Sequence, residues 1–252
     1  TIVPFVDISF GFGTGSQGTN AVPLKTIKIL CRNKYFILIT LAFAVIYTSL
    51  GLTGGSRIYY AKYVLGDEML NSTMTMFNYI PTILTIMLIP VFTKRFGKIK
   101  ALFVGFLFYA AGLVLEIAGP VNLPMIYTGL VLQGIGHAAL YSCLFAIVGD
   151  VVDYSEWKDG IREEGLTYRV TSFGQKIGTG LGTAALGWIL AAGHYDGTAA
   201  VQSASAIFAI KGLFLYLPLV ITVIVLIIWY LFMGIDKIYP TVRKELDERR
   251  EK

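Results

Sequence analysis

Lys176 is the only charged residue in the glycine-rich apolar stretch 170–192, and it follows a segment crowded with charge. That segment carries Asp150, Asp153, Glu156, Lys158, Asp159, Arg162, Glu163, Glu164 and Arg169. A cation in hydrocarbon costs at least about 2.5–3.5 kcal/mol on insertion scales, so such a lysine faces a bundle interior or a watery cavity and marks a ligand or ion path. Ser172 lies four residues before Lys176 and Thr179 three after it. On a helix these form one polar stripe, as expected along a hydrophilic cavity. Snorkelling is a poor account of Lys176, because the helix places it about 10 Å from Arg169 at the inner surface.

Other residues leave more than one reading open. Tyr141 offers a ring for one face of a sugar and a hydroxyl for a sugar oxygen, and ordinary aromatic packing explains it equally. His137, within the weakly polar patch 133–137, reads as a hydrogen-bonded interior histidine rather than a proton carrier, since no acidic residue is evidently paired with it. Arg57 lies in the glycine-loosened segment 51–60 and reads as snorkelling outward from a close helix contact. Asp150 and Asp153 are three apart at a helix end and point the same way. They fit contacts with a partner domain that form in one conformation and break in another, or a solvated surface. They also supply two oxygen ligands for a divalent metal, as in lipid-linked transferases, although Lys158 and Arg162 compete and a second acidic motif is missing. Cys31 and Cys143 belong to no disulfide or zinc pattern.

The elements that position these residues are membrane helices. Of 252 residues, 55% are hydrophobic and 15% charged, against about 25% charged in a soluble domain. Uncharged stretches at 35–56, 71–93, 101–115, 117–149, 177–195 and 212–235 mostly approach the roughly 20 residues a spanning helix needs. Six spans are expected. Pro81 and Pro90 are positioned to kink the second, and Gly174, Gly178 and Gly182 repeat every four residues in the fifth, a spacing for close helix approach.

Charge sets the expected orientation. Lys25, Lys28, Arg32 and Lys34, then Lys94, Arg95, Lys98 and Lys100, then Lys158, Arg162 and Arg169, and finally the basic residues from Lys237 onward fall on one side. Asp67, Glu68, Glu116 and Asp196 fall in the connections on the other. By the positive-inside rule both ends of the chain are cytoplasmic. The net charge of +5 follows from this topology, and no nucleic-acid partner is implied. Residues 1–22 read as a flexible linker or the remnant of a preceding region, 23–236 as a six-helix unit and 237–252 as a charged cytoplasmic tail. The start at Thr1 and the glycine-rich stretch behind it suggest a fragment that lacks an N-terminal portion.

Asp153-Tyr154, Glu156, the aromatic Trp157, Lys158, Arg162, Glu164, Tyr168 and Lys176 together resemble the signature of the glycoside-pentoside-hexuronide cation symporters, melibiose-permease-like members of the major facilitator superfamily. The resemblance covers roughly 23–252. It implies an all-α membrane protein with six transmembrane helices, the C-terminal half of a twelve-helix major facilitator fold in the cell (inner) membrane. The implied substrate is a sugar or glycoside, near Lys176, Ser172 and Tyr141. Asp150, Asp153, Glu156, Arg162 and Glu164 would form cytoplasmic contacts between the two halves. No cofactor or resident metal is expected beyond a coupling cation, sodium or proton, whose site the family builds chiefly on an N-terminal six-helix half. A membrane-embedded metal-dependent transferase and a non-transporting scaffold are the alternative readings.

Overall fold

A computed structural model describes residues 32–160, 162–199 and 201–250. The proposed linker at 1–22, and the basic residues Lys25 and Lys28, lie outside them. Among the described residues all regular structure is helical: α1 Lys34–Tyr63, α2 Leu70–Ile86, α3 Ile89–Phe96, α4 Lys98–Ala118, α5 Leu123–Asp159, α6 Glu164–Ala192, α7 Ala204–Lys211, a π-turn Gly212–Tyr216 and α8 Leu217–Arg250. Four helical runs are long and apolar enough to cross a bilayer, namely α1, α4, α5 and the continuous run Ala204–Asp236. The pair α2 and α3, bent by 55°, makes a fifth by length and composition. Helix α6 has 29 residues, about 43 Å at helical rise, but its glycines, threonines and Lys176 make it less apolar.

Local chemistry sets these boundaries. Asn33 starts α1 by accepting the Tyr35 N–H at 3.0 Å, and Asn122 does the same for Met125 at 3.3 Å before Pro124 enters the first turn of α5. A side-chain acceptor and an early proline both suit a helix start, where backbone N–H groups lack partners. Pro81 is absorbed within α2. The break comes ahead of Pro90 instead, where α3 restarts with that proline in its first turn. A proline restricts the residue before it and cannot donate to the preceding turn.

Two expectations are corrected. The third and fourth spans are divided not at Glu116 but at Gly119–Asn122, so Glu116 is no connection residue. It is fully buried near the end of α4. The charged segment after Gly149 is not a loop either: α5 continues through Asp159 and stops at Gly160, whose φ of +67° suits glycine in a left-handed cap. Asp150, Asp153 and Glu156 therefore stand on a helix, and only the short link to Glu164 is irregular.

Glycine seams hold the helices close. A Cβ on Gly178 or Gly182 would meet the backbone of Ala44 or Thr48 on α1, and one on Gly51 would lie 2.7 Å from the Thr179 carbonyl oxygen. The four-residue glycine repeat of α6 is thus its α1-facing side. A second seam joins α4 to α5, where Gly105 opposes Gly136 and Gly112 opposes Gly129. Between lipid-surrounded helices such close backbone approach supplies dispersion contact that the hydrophobic effect does not. The N-terminal end of α1 and the C-terminal end of α8 meet at the same end of the bundle, through Asn33 to Ser155 at 2.9 Å and Trp157 to Glu245 at 2.7 Å.

Candidate substrate cavity and inner-face charge cluster

Helices α1, α2 and α5 enclose a cavity of about 260 Å³ whose polar lining includes Thr53, Arg57, Thr75, Asn78, His137 and Tyr141. Arg57 Nη1 donates to Thr75 Oγ1 at 3.2 Å, and Thr75 in turn donates to the Asn71 carbonyl at 2.7 Å. The guanidinium Nε is buried and has no hydrogen-bond partner among the described residues. Asn78 donates to the Leu130 carbonyl at 3.2 Å, leaving its Oδ1 toward His137 Nδ1 at 3.4 Å. Because Oδ1 can only accept, His137 carries its proton on Nδ1 when neutral, and Nε2 remains an acceptor. His137 is the interior, hydrogen-bonded histidine expected. Arg57 departs from its expected outward snorkel: it lines the cavity and binds across to α2.

Tyr141 joins this cavity, with its ring 5.8 Å from that of His137. Lys176 and Ser172 do not line it. They sit on a side of α6 away from the glycine seam, Lys176 exposed and Ser172 half-buried. Lys176 makes no hydrogen bond or ion pair among the described residues. Thr179, the third member of the stripe, turns its hydroxyl back to the Gln175 carbonyl at 3.0 Å. The packing of Gly174 against Phe43 sets Lys176 near the level of Phe43 on α1, fourteen residues below Arg57, or about 21 Å along a straight helix. Tyr141 lies between these levels, one turn from Phe145, whose ring meets Phe43 edge-on at 5.2 Å.

The inner end is built differently. Arg162 Nη1 donates to Asp153 at 3.0 Å and Glu156 at 2.6 Å, and its Nη2 to Glu164 at 3.4 Å. The Glu156 hydrogen bond outweighs partial burial and, with Asp153, raises the guanidinium pKa above its ordinary value. Asp153 also accepts from the Tyr239 hydroxyl at 3.0 Å. Asp150 separates from this group and binds Lys98 Nζ at 2.6 and 2.9 Å. Asp236 accepts from the Lys100 N–H at 3.4 Å. Gly97, at φ +93°, is needed both for the turn and for that approach, since a Cβ there would come within 2.7 Å of an Asp236 oxygen. The five acidic and basic residues expected to act together thus form one four-residue cluster plus the separate pair Asp150–Lys98.

Sequence reasoning missed three features. The α2 stripe Asn71, Thr75, Asn78 and Thr82, at offsets of four, seven and eleven, was visible as a polar helical face. Arg57 was visible as the continuation of the face bearing Leu50, Thr53 and Gly54, given that α1 extends to Tyr63. The pairing of Gln133 Nε2 with Glu116 Oε1 at 2.7 Å had no local signal, because it joins two helices. Glu116 Oε2 remains buried without a hydrogen-bond partner among the described residues.

The sequence matches the family model described as MFS/sugar transport protein over residues 15–237. The isoprimeverose transporter of Lactiplantibacillus pentosus is 30% identical, over 92% of this chain and 49% of that protein. The glucuronide carrier protein homolog of Escherichia coli (strain K12) is 26% identical, over 94% of this chain and 51% of its own length. The chain therefore spans about half the length of these curated relatives.

Proposed function

The chain belongs to the MFS/sugar transport protein family, whose matched members are transporters rather than enzymes, and from that membership we propose that this multi-pass membrane protein supplies the C-terminal wall of a cation-coupled sugar carrier. In this reading residues 23–236 form six spans, with the bent pair α2 and α3 as the second and α6 as the fifth. Residues 237–252 are a cytoplasmic tail and 1–22 lead in from the other half. The membrane is the cell (inner) membrane, and both ends of the chain face the cytoplasm.

The observation that carries the proposal is Lys176, a cation midway along α6, turned from the seam that packs α6 on α1 and lacking a carboxylate at contact distance among the described residues. Such a charge requires a polar surface opposite it, which a second six-helix half would provide. Lys176 and Ser172 donate to sugar hydroxyls, and Tyr141 stacks on the sugar. The ammonium balances carboxylates of the other half that bind sodium or a proton. Cation entry rearranges those charges and raises sugar affinity, so that the cation biases the outward and inward states differently. Asp153, Glu156, Arg162 and Glu164, with the pair Asp150–Lys98, form the inner contact surface that the two halves close and open as they rock.

The test is Lys176→Ala in the complete carrier, measured as sugar accumulation in cells with and without an imposed sodium or proton gradient. Gradient-driven accumulation should be lost while the protein still reaches the membrane. Full coupled uptake by the variant would remove Lys176 from the mechanism. Absence of any uptake by the unaltered carrier would favour the scaffold reading.

A further inference from the structure

We propose that Glu116 is a proton-binding site within this half, its Oε2 oxygen taking up and releasing a proton during the transport cycle, with Arg57 relaying its charge state to the cavity. The inference rests on the transporter reading and names a coupling group that the chain itself supplies, beside any that the other half holds.

An ionisable side chain inside a membrane bundle is costly to keep, and where no close ion pair accounts for it, movement of ions or protons is its first reading. Glu116 is fully buried near the outer end of α4, three residues before the helix ends at Gly119. The neighbouring helix makes room for it: a Cβ on Gly129 of α5 would come within 2.6 Å of its Cγ. Gln133 Nε2 donates to Oε1 at 2.7 Å, which leaves Oε2 as the oxygen that takes the proton. Oε2 is buried with no hydrogen-bond partner among the described residues. The carboxyl is therefore unsettled in either form. Ionised, it has no cation at ion-pair distance among the described residues; protonated, its new O–H has no acceptor there. A buried polar group left without a partner costs about 1–3 kcal/mol, so water or a moving neighbour must complete the site in each state.

The surrounding groups decide what the proton does. Arg57 and Tyr60 of α1 and Tyr109 of α4 are near enough to interact electrostatically with the carboxyl, and Tyr216 of the π-turn acts on Tyr60 in the same way. From α5 come the neutral amide of Gln133 and, one turn farther in, His137 on the cavity lining. Tyr60 donates its hydroxyl hydrogen to the Pro120 carbonyl, and the Tyr109 hydroxyl is hydrogen-bonded with Ser49, so neither serves Oε2. Arg57 is left as the counter-charge. Its Nη1 is tied to Thr75 of α2, and its Nε is buried without a hydrogen-bond partner among the described residues. With Glu116 ionised, the guanidinium is attracted toward α4. With a proton on Oε2 that attraction is lost, and Arg57 stays on Thr75, facing the cavity that His137 and Tyr141 also line. Proton binding thereby sets the charge of the cavity wall, a differential interaction of the kind that coupling requires. An O–H bond forms at Oε2 with a proton from water at the outer end, and the same bond breaks when the proton passes to cavity water open to the inner side.

Two measurements on the complete carrier test this. Infrared difference spectra of the purified protein between acid and alkaline pH should contain the carbonyl band of a buried, protonated carboxylic acid. Glu116→Gln should abolish that band and Glu116→Asp should move it. In cells, accumulation and counterflow of a methyl glucoside, a methyl xyloside and a methyl glucuronide are followed under an imposed proton or sodium gradient. Glu116→Gln should lower proton-driven accumulation by about tenfold or more while counterflow stays within about twofold, since exchange needs no net proton movement. Glu116→Asp should retain accumulation with a shifted pH profile, which also holds the test open should the glutamine variant not reach the membrane. A band unchanged by Glu116→Gln overturns the proposal and leaves the transporter reading intact, as does accumulation driven by sodium alone. Equal loss of accumulation and counterflow overturns it too, because Glu116 then serves packing only. If the unaltered carrier moves none of the glycosides, the transporter reading itself falls and the coupling role with it.

Discussion

At the inner end of the bundle, charges are matched within the chain. Lys98 holds Asp150, and Arg162 holds Asp153, Glu156 and Glu164. Along the spans the pattern inverts, with Arg57 bound only to a threonine hydroxyl and Lys176 bound to nothing described. Charge in a membrane protein is tolerated where it is paired or where water or a ligand reaches it. The matched charges therefore belong to the architecture of the inner face, whereas the others have no carboxylate at ion-pair distance among the described residues. Stability and transport should respond to the two groups in opposite ways.

Lys98→Met is expected to have the largest effect on stability. The Asp150 side chain is only 7% exposed, so removing Lys98 leaves a desolvated carboxylate without a counter-charge and with only the Tyr239 hydroxyl beside it, at a cost of about 3 kcal/mol. Thermal unfolding in detergent, followed by intrinsic fluorescence, measures the loss. Adding Asp150→Asn should restore most of it, because no buried charge then remains. If the double variant unfolds at the same temperature as Lys98→Met alone, the pair is not what holds this corner together.

Gly178→Ala comes next, and it leaves the charges untouched. Its methyl would overlap the Ala44 carbonyl, so α6 must lift from α1, with a cost of about 2 kcal/mol. Gly180, on the same helix with nothing within 4 Å, is the control. Gly180→Ala should be neutral or stabilising by up to about 1 kcal/mol through helix propensity. Equal behaviour of the two alanines in a melting series would show that α6 does not depend on the seam.

The difference between these regions is partly legible in the sequence. Lys176 stood out because it interrupts an apolar run, and the seam glycines because their spacing is helical. Both are one-helix signals. The inner cluster was legible as a set of residues but not as pairs: the partner of Asp150 lies 52 residues away on another helix, and a spacing of three could not show that Asp150 and Asp153 would turn to different cations. Arg57 was misassigned because its direction depends on where α2 packs. Glu116 was misassigned because charge was taken to mark a span's end, whereas the helix stops three residues later at glycine and proline.

Arg162→Gln should cost less than either change above. Its side chain is 43% exposed, and water screens an ion pair in that setting, leaving about 1 kcal/mol or less for the whole cluster. Raising salt from low to high ionic strength should narrow the gap between the variant and the unaltered protein. Its effect on transport should exceed its effect on melting if the cluster is also a closing surface, since a small bias between inward and outward states changes turnover directly. A variant whose uptake falls only as far as its folded fraction falls would mark the cluster as structural.

The smallest stability effect is expected where the loss of function is greatest. Arg57→Met and Lys176→Met remove cations that have no carboxylate at ion-pair distance among the described residues, and methionine suits a hydrocarbon-facing helix. Neither should lower the melting point, and either can raise it by the equivalent of up to about 1 kcal/mol, since a charge kept for a ligand is a cost to the empty fold. Uptake should nevertheless collapse for every substrate with Lys176→Met. The informative result is the crossing of the two measurements: matched charges lost at the inner end reduce stability first, whereas unmatched charges lost along the spans reduce transport alone. A drop of several degrees for Arg57→Met would break the comparison, because it would show that Glu116 and the α1–α2 contact already compensate the guanidinium inside the fold. Arg57 would then be an internal brace.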